Sequence, residues 1–423
     1  MDEAEQSMNL WIFNHYAAPS DSQAGTRHFD MARELVARGH DVCIFSSGFN
    51  HMKRREERLL NGEAWKEECI EGVKFIWIRT KPYFKNDWRR AINILDYSVR
   101  VVFISLHRTE RPDAIIGSSV HPLAALSARI VSSMKGSRFF FEVRDLWPQT
   151  LVDMGYLSEQ SILTRLLRRI EIYLSVKAEK IITLLPRADL YFSTLGIPKE
   201  KVNWIPNGVN LARYDGIKEY GGGNCPFTLM YVGAHGTANA LDVIIECAKL
   251  LQDKGESGIR FILVGDGPQK RNLIQYAGKL KLQNIDFRDP VPKEDIPKVM
   301  GEADAFIFHL EDLPLFRYGI SSNKLFDYLA AGRPILFAAN ASNNPVEEAQ
   351  AGITVVPKNP AALAAAVEKL LSLDPERRKE MGRNAREYVR KNHDTKGLAL
   401  MLEGLLSNTI SSVPVRATKN PLC

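Results

Sequence analysis

The stretch Phe227-Thr-Leu-Met-Tyr-Val-Gly-Ala-His-Gly-Thr-Ala-Asn239 decides the fold. Residues 227–232 have the apolar make-up of a buried strand, and a loop carrying Gly233 and Gly236 follows. Leu241, Ile244, Ile245, Ala248 and Leu251 then recur at helical spacing. Strand, glycine-bearing turn and helix in that order open a βαβ unit and a parallel sheet. Further strands are expected at 260–264, 285–288, 305–308, 335–338 and 353–356, with a helical pattern from 374 to about 406.

Upstream, the same rhythm has already run once. Strands are expected at 10–13, 42–46, 73–78, 114–116, 139–143, 181–184 and 202–205, and Phe29, Ala32, Leu35 and Val36 mark a first helix ended by Gly39. The turn-rich Pro206-Asn-Gly208 and Gly221-Gly-Gly-Asn-Cys-Pro226 separate the two runs. The fold class is therefore α/β, with two doubly wound, Rossmann-like domains facing across a cleft. The expected division is 8–210, 211–385 and a C-terminal helix at 386–410 packing back toward the first domain. Ligands of such sheets bind outside the carboxyl ends of the strands, so the loops after the strands are where chemistry belongs.

Composition bounds the function. With 423 residues, 45% hydrophobic and 25% charged, the chain is neither disordered nor a disulfide-stapled miniprotein. Five cysteines, an odd number with no C-x-x-C pair, point to a reducing cytoplasm. No apolar run reaches the ~18 residues of a membrane span, and the acidic start Met1-Asp-Glu-Ala-Glu is no signal peptide.

Two loops of the second half could hold a nucleotide. In 233–239, Gly233 and Gly236 let backbone N–H groups approach an anion, although an ordinary tight turn has the same spelling. Neither G-x-G-x-x-G nor GKS/T is present, which weighs against a dehydrogenase or a P-loop enzyme. After strand 305–308, Ser321, Ser322 and Asn323 precede a helix, with Asn323 expected as its cap. Lys324 in the first turn opposes the helix dipole and is costly unless it meets an anion. Asp327, one turn on, suits a ribose diol; a dipole-compensating acid is the plainer reading.

Ser321-Ser-Asn-Lys-Leu-Phe-Asp-Tyr-Leu-Ala-Ala-Gly-Arg-Pro334, Pro206-Asn-Gly-Val209, Tyr231-Val-Gly233 and Val264-Gly-Asp-Gly-Pro268 together resemble a group 1, family 4 retaining glycosyltransferase of GT-B fold. Arg144-Asp-Leu-Trp-Pro148 and His235-Gly-Thr-Ala-Asn239 are similar to the branch that builds bacterial surface polysaccharides, nearest to L-fucosamine transferases of O-antigen and capsule synthesis. The resemblance implies a nucleotide sugar, UDP first, as donor, and a polyprenyl-diphosphate-linked glycan as acceptor. It implies no metal and no cofactor.

Carried over by position, the resemblance puts Gly25, Gly233 and Gly236 near the diphosphate. Asn323, Lys324 and Leu325 join them there, Asp327 holds the ribose, Gly267, Pro290 and Val291 flank the base, and His235, Asn239, Gly319 and Ser322 are counted among the donor-binding residues. Lys324 is the expected main cation at the leaving group. On the acceptor side stand His15, Arg144 and Asp145, with His121 and Asp145 as candidates for proton chemistry; each also reads as a satisfied structural residue. The chain departs from the family where the first glutamate of a Glu-x7-Glu pair is expected: position 319 is Gly319. That places the usual contact to the donor sugar in question and suits a deoxy-amino sugar. A nucleotide-sugar epimerase and a catalytically silent binding protein are the rival readings.

The charge sharpens the partner. The chain carries +6, and the segment 74–111 alone holds nine basic residues against Asp87, Asp96 and Glu110. Tyr83, Phe84, Trp88 and Tyr97 are interleaved, and Arg165, Arg168 and Arg169 form a second cluster. Basic and aromatic residues together are the make-up of a surface that rests on anionic lipid, although a solvated helix face is spelled the same way. The expectation is peripheral attachment at the inner face of the cell membrane, with no nucleic-acid partner.

Overall fold

The computed structural model describes residues 7–21, 25–85, 87–119 and 121–407. The first sheet has eight strands in the order Val202–Trp204, Lys180–Thr183, Arg138–Val143, Ala114–Ser119, Asn9–Phe13, Asp41–Ser47, Val73–Ile78 and Trp65–Ile70. All neighbours are parallel except the last pair. The second sheet has six parallel strands, ordered Ile285–Arg288, Ile259–Val264, Phe227–Val232, Ala305–His309, Ile335–Ala338 and Gly352–Thr354. Numbered within its own domain, the second sheet runs 3-2-1-4-5-6. The first follows the same order once its antiparallel edge strand Trp65–Ile70 is set aside, with Val202–Trp204 added as a seventh parallel strand at the far edge. Both are therefore doubly wound, and in each the first strand borders the switch point where ligands bind.

The parallel strands are near-continuous apolar runs because helices cover both faces. Asp41–Ser47 and Phe227–Val232 are buried almost throughout. Two elements escape sequence reading. Trp65–Ile70 is an edge strand that alternates exposed and half-buried residues, and its Trp-Lys-Glu-Glu-Cys-Ile spelling carries no apolar alternation. A two-residue hairpin, Phe49–Asn50 with Arg55–Glu56, is too short for any periodicity.

The chain crosses between domains twice, at neighbouring places. Val209 pairs with Asp394 in an isolated bridge, and Val209 N–H donates to His393 O at 2.9 Å. Before that point, helix Pro375–Asn392 belongs to the second domain: Gly382 lies against the Gly332 carbonyl, and Ala385 and Val389 join that core. After it, helix Thr395–Ser407 lies on helix Arg27–Ala37, with Leu398, Leu402 and Leu406 buried in the first domain. The return crossing therefore falls at 393–394, whereas the sequence places it at 386. The helical pattern runs through 386 without a break, so the sequence offers no stop signal there.

Candidate functional site

A cavity of about 270 Å³ opens between the two switch points. From the second domain come Gly233, Ala234, Gly265, Asp266, Pro290, Val291, Lys293, Asn323, Lys324 and Asp327. From the first domain and the linker come Gly25, Thr26, Arg27, Asp30, Met52 and Arg213. Four cations and three carboxylates share one volume; Arg27, Arg213 and Lys293 are each ion-paired, which leaves Lys324 as the cation without a carboxylate partner among the described residues.

Two glycine loops build the floor by backbone-to-backbone packing. Gly233 N–H donates to Val264 O at 3.0 Å, and His235 N–H donates to Asp266 O at 2.8 Å. Gly265 and Gly267 hold φ of +144° and +157°, and a Cβ on Gly267 would stand 2.6 Å from His235 O. Their lack of side chains serves this loop stacking; Gly267 lies under His235 and does not line the cavity. Gly233 has a different task. A Cβ there would come within 3.2 Å of Lys324 Cδ and 3.0 Å of Tyr231 Oη, so glycine leaves room for the lysine stem.

Helix Asn323–Ala331 brings Lys324 and Asp327 to the wall. Its cap residue is Ser322, without a side-chain cap bond, so Asn323 is the first helical residue and not the cap expected from sequence. Asn323 instead turns toward the first domain, where a Cβ on Gly25 would meet its Nδ2 at 3.3 Å and Arg144 Nη2 at 3.9 Å. Leu325 is fully buried core. Asp327 accepts from Tyr214 Oη at 2.7 Å and is ion-paired with Lys293.

The facing wall is a buried ion network. Arg27 Nε donates to Glu142 Oε1 at 2.9 Å, and His28 Nε2 lies 2.5 Å from Glu142 Oε2. Burial pushes this carboxyl up, but His28 and Arg27 together hold it well below its ordinary value. Arg27 also donates to Ile205 O at 2.9 Å and to Pro206 O, tying the helix start to the linker.

Residues 24–208 match the family model described as Glycosyl transferase 4-like domain, and residues 226–373 match that described as Glycosyl transferases group 1. The chain is a two-domain glycosyltransferase. Probable glycosyltransferase WbjE of Pseudomonas aeruginosa is 22% identical over 283 residues, covering 63% of this chain and 68% of that protein. Sucrose-phosphate synthase from Thermosynechococcus elongatus superimposes with a TM-score of 0.74 at 16% identity, over 95% of this chain and 99% of that one. Anabaena HepE in complex with UDP-glucose gives 0.67 at 16% identity, over 95% and 100%. These similarities establish the GT-B fold.

Not every expected site residue of the glycosyltransferase reaches the cavity. Gly319 sits at φ +97°, and a Cβ there would stand 2.5 Å from Pro186 Cγ and Cδ and 2.9 Å from Asn343 Oδ1. It lies at the contact between domains, next to Arg187 N–H donating to Tyr318 O at 3.0 Å, and is not among the residues that line the cavity. With this φ and these contacts a glutamate side chain does not fit the backbone. Ser322, His235, Gly236 and Asn239 are not among the residues that line the cavity; His235 is fully buried, with neither ring nitrogen bonded among the described residues.

His121 stands outside this cavity, engaged within the first domain. Its Nδ1 accepts from Ala124 N–H at 3.3 Å, capping helix Pro122–Lys135, and its Nε2 lies 2.9 Å from His15 Nδ1. Because the capping nitrogen must be unprotonated, Nε2 carries the proton and donates to His15. Both nitrogens are committed, and burial with the nearby Arg90 charge pushes the ring down to about 3. His15 is stacked between Tyr16 and Tyr97, each at 4.3 Å, and lines a separate cavity of about 260 Å³ with Tyr16, Asn50 and His51. Met52, on the same hairpin, lines the larger cavity, so the hairpin tip stands between the two volumes. Asp145 is exposed and Arg144 half-buried beside Gly25.

Arg27, Asp30, Arg213 and Lys293 were not singled out from sequence. Arg27 and Asp30 share one helix start just after Gly25, whereas Arg213 and Lys293 come from two distant segments, and the four meet only in three dimensions.

Proposed function

We propose that this glycosyltransferase moves a sugar, with retention, from a nucleoside-diphosphate donor, UDP first, to a lipid-linked glycan of surface-polysaccharide synthesis. One observation carries the reading: Lys324, Arg27, Arg213 and Lys293 converge on a cavity floored by the backbone of two glycine loops. The bond from the anomeric carbon to the diphosphate oxygen breaks and one to the acceptor oxygen forms. The acceptor's proton passes to the leaving phosphate. Negative charge grows on the diphosphate in the transition state, and fixed cations in a desolvated cleft act most strongly there. HepE, a structural neighbour, is known bound to UDP-glucose, which supports the donor class. The reading calls for no metal, so turnover is expected to survive chelation. N-acetyl-L-fucosamine or another deoxy-amino sugar is the first donor sugar to try.

Surface chemistry supports a membrane-borne acceptor. Helix Trp88–His107 turns Trp88, Leu95, Val99 and Phe103 outward, each more than half exposed, next to exposed Phe84. Lys81, Lys85 and Arg89 flank them, while Lys74, Arg100 and Arg108 are spent on Asp41, Asp96 and Glu67 with Glu110. No helix of the described residues is long and apolar enough to cross a membrane.

Mass spectrometry of products from a panel of nucleotide sugars with a lipid-linked acceptor tests the activity. Donor binding without turnover across the panel would favour the silent binding protein, and acceptor-independent conversion of the donor the epimerase. Vesicle flotation tests the surface: equal binding to neutral and anionic vesicles would remove the electrostatic part.

A further inference from the structure

The Lys324 ammonium is held by neutral groups alone. It donates to Asn239 Oδ1 and, at 3.2 Å, to Tyr231 Oη. It lies 4.8 Å from the Tyr231 ring centroid and 5.0 Å from that of Phe308. Tyr231 Oη and Asn239 Nδ2 both donate, at 2.8 Å, to the same carbonyl, Ala234 O. The bonds close a ring: lysine, tyrosine, loop carbonyl, asparagine and back to lysine.

Asn239 uses both ends of its amide, one to accept from the ammonium and one to hold the glycine loop. No aspartate could do both. The acids around the cavity are engaged elsewhere: Asp327 by Tyr214 and Lys293, Asp30 by Arg213 and Thr26, and Asp266 Oδ1 by Gly267 N–H. Among the described residues no carboxylate pairs with Lys324. Aromatic faces stabilise an ammonium without cancelling its charge, whereas a carboxylate partner would satisfy it before the donor arrives.

We propose that Tyr231, Asn239 and Phe308 form a neutral clamp that fixes the direction of Lys324 and keeps its charge uncompensated for the donor's diphosphate. Tyr231 and Asn239 are thus positioning residues, acting through Lys324, and the requirement at 239 is for an amide. The inference rests on the reading of the cavity as a nucleoside-diphosphate site.

The test is calorimetric binding of whichever of UDP, GDP and ADP binds tightest, beside its nucleoside, to the whole enzyme and four variants. Lys324→Ala should weaken the diphosphate and leave the nucleoside unchanged. Asn239→Ala removes bonds only, and about a 2- to 5-fold loss for the diphosphate is expected. Asn239→Asp brings a carboxylate to the ammonium, and a loss of about 10-fold or more is expected, with the nucleoside again unchanged. A merely structural role would make alanine at least as harmful as aspartate, and that ranking overturns the clamp. Should Asn239→Asp fail to fold, Tyr231→Phe is judged with the same two ligands. Loss for the diphosphate alone supports the clamp, and equal or absent losses overturn it. If Lys324→Ala binds the diphosphate normally, the cavity reading itself fails; if only the aspartate ranking fails, the clamp alone is wrong.

Discussion

The guanidinium of Arg213 forks onto the carboxylate of Asp30 at 2.6 and 3.1 Å, joining the linker to the first helix of the facing domain. Thr26 Oγ1 donates to the same carboxylate at 2.5 Å. The pair lies in the cavity wall, with side chains only 13% and 7% exposed. It fixes where the two domains meet as well as how the cavity is charged.

Removing one partner of a buried pair leaves the other charge without compensation. We predict that Asp30→Ala destabilises the enzyme by about 3 kcal/mol, in the range seen for broken buried pairs. Asp30→Ala with Arg213→Ala should cost less than that single change. Thermal unfolding of the wild type, the two single variants and the double variant decides it. A double variant that loses the full sum would show that the two residues act independently.

Gly319 yields a second prediction. Its positive φ, and the 2.5 Å at which a Cβ would meet Pro186, mean that any side chain strains the backbone and pushes the domains apart. Gly319→Glu, which restores the residue usual in similar enzymes, should lower turnover at least about 10-fold, the equivalent of 1.4 kcal/mol. Small-angle scattering should report a more open molecule. Wild-type turnover in Gly319→Glu would return position 319 to the donor site.

Burial pushes the Lys324 ammonium down to about 7. Its charge is lost as pH rises, so affinity of the free enzyme for the diphosphate should fall through about pH 7. The linkage to folding runs the same way. The folded value lies below the unfolded 10.5, so the protonated lysine costs stability below about pH 7, and the cost fades as pH climbs from there toward 10.5. The other titratable groups facing it do not compete. His235 and His309 are each held down to about 4 by burial, and Tyr231 is raised well above its ordinary value. A bound anion favours the ammonium, so the falling limb of kcat should lie at higher pH than that of kcat/KM. Coincident limbs, or none between about pH 6 and 9, would refute the assignment.

The doubly wound pattern was legible because parallel strands buried on both faces read as apolar runs, as in 227–232 and 305–308, separated by helical periods. The edge strand Trp65–Ile70 was not, since an edge needs only one half-buried face. At the site, the legible residues were those carried by quoted motifs: Asn323, Lys324 and Asp327 in one segment, with Gly233, Gly25, Pro290 and Val291 placed by the resemblance. Arg213, Lys293 and Asp30 lay beyond reach because a cleft between domains is assembled from loops far apart in sequence, each ordinary alone. His121 carries a related ambiguity. A histidine before a proline at a strand end has the same spelling whether it faces substrate or caps a helix.

The cap gives His121 its own test. Asn replaces the capping acceptor and Ala does not, so His121→Asn should retain the bond to Ala124 N–H while losing the ring. His121→Ala should cost about 0.5–2 kcal/mol of stability, and His121→Asn a smaller part of it. Turnover per folded molecule should stay near wild type in both, because the ring lies outside the larger cavity and both its nitrogens are engaged within the first domain. Unfolding midpoints measured beside kcat separate the two roles. A loss of kcat of about 100-fold at undiminished stability in His121→Asn would restore the histidine to proton chemistry.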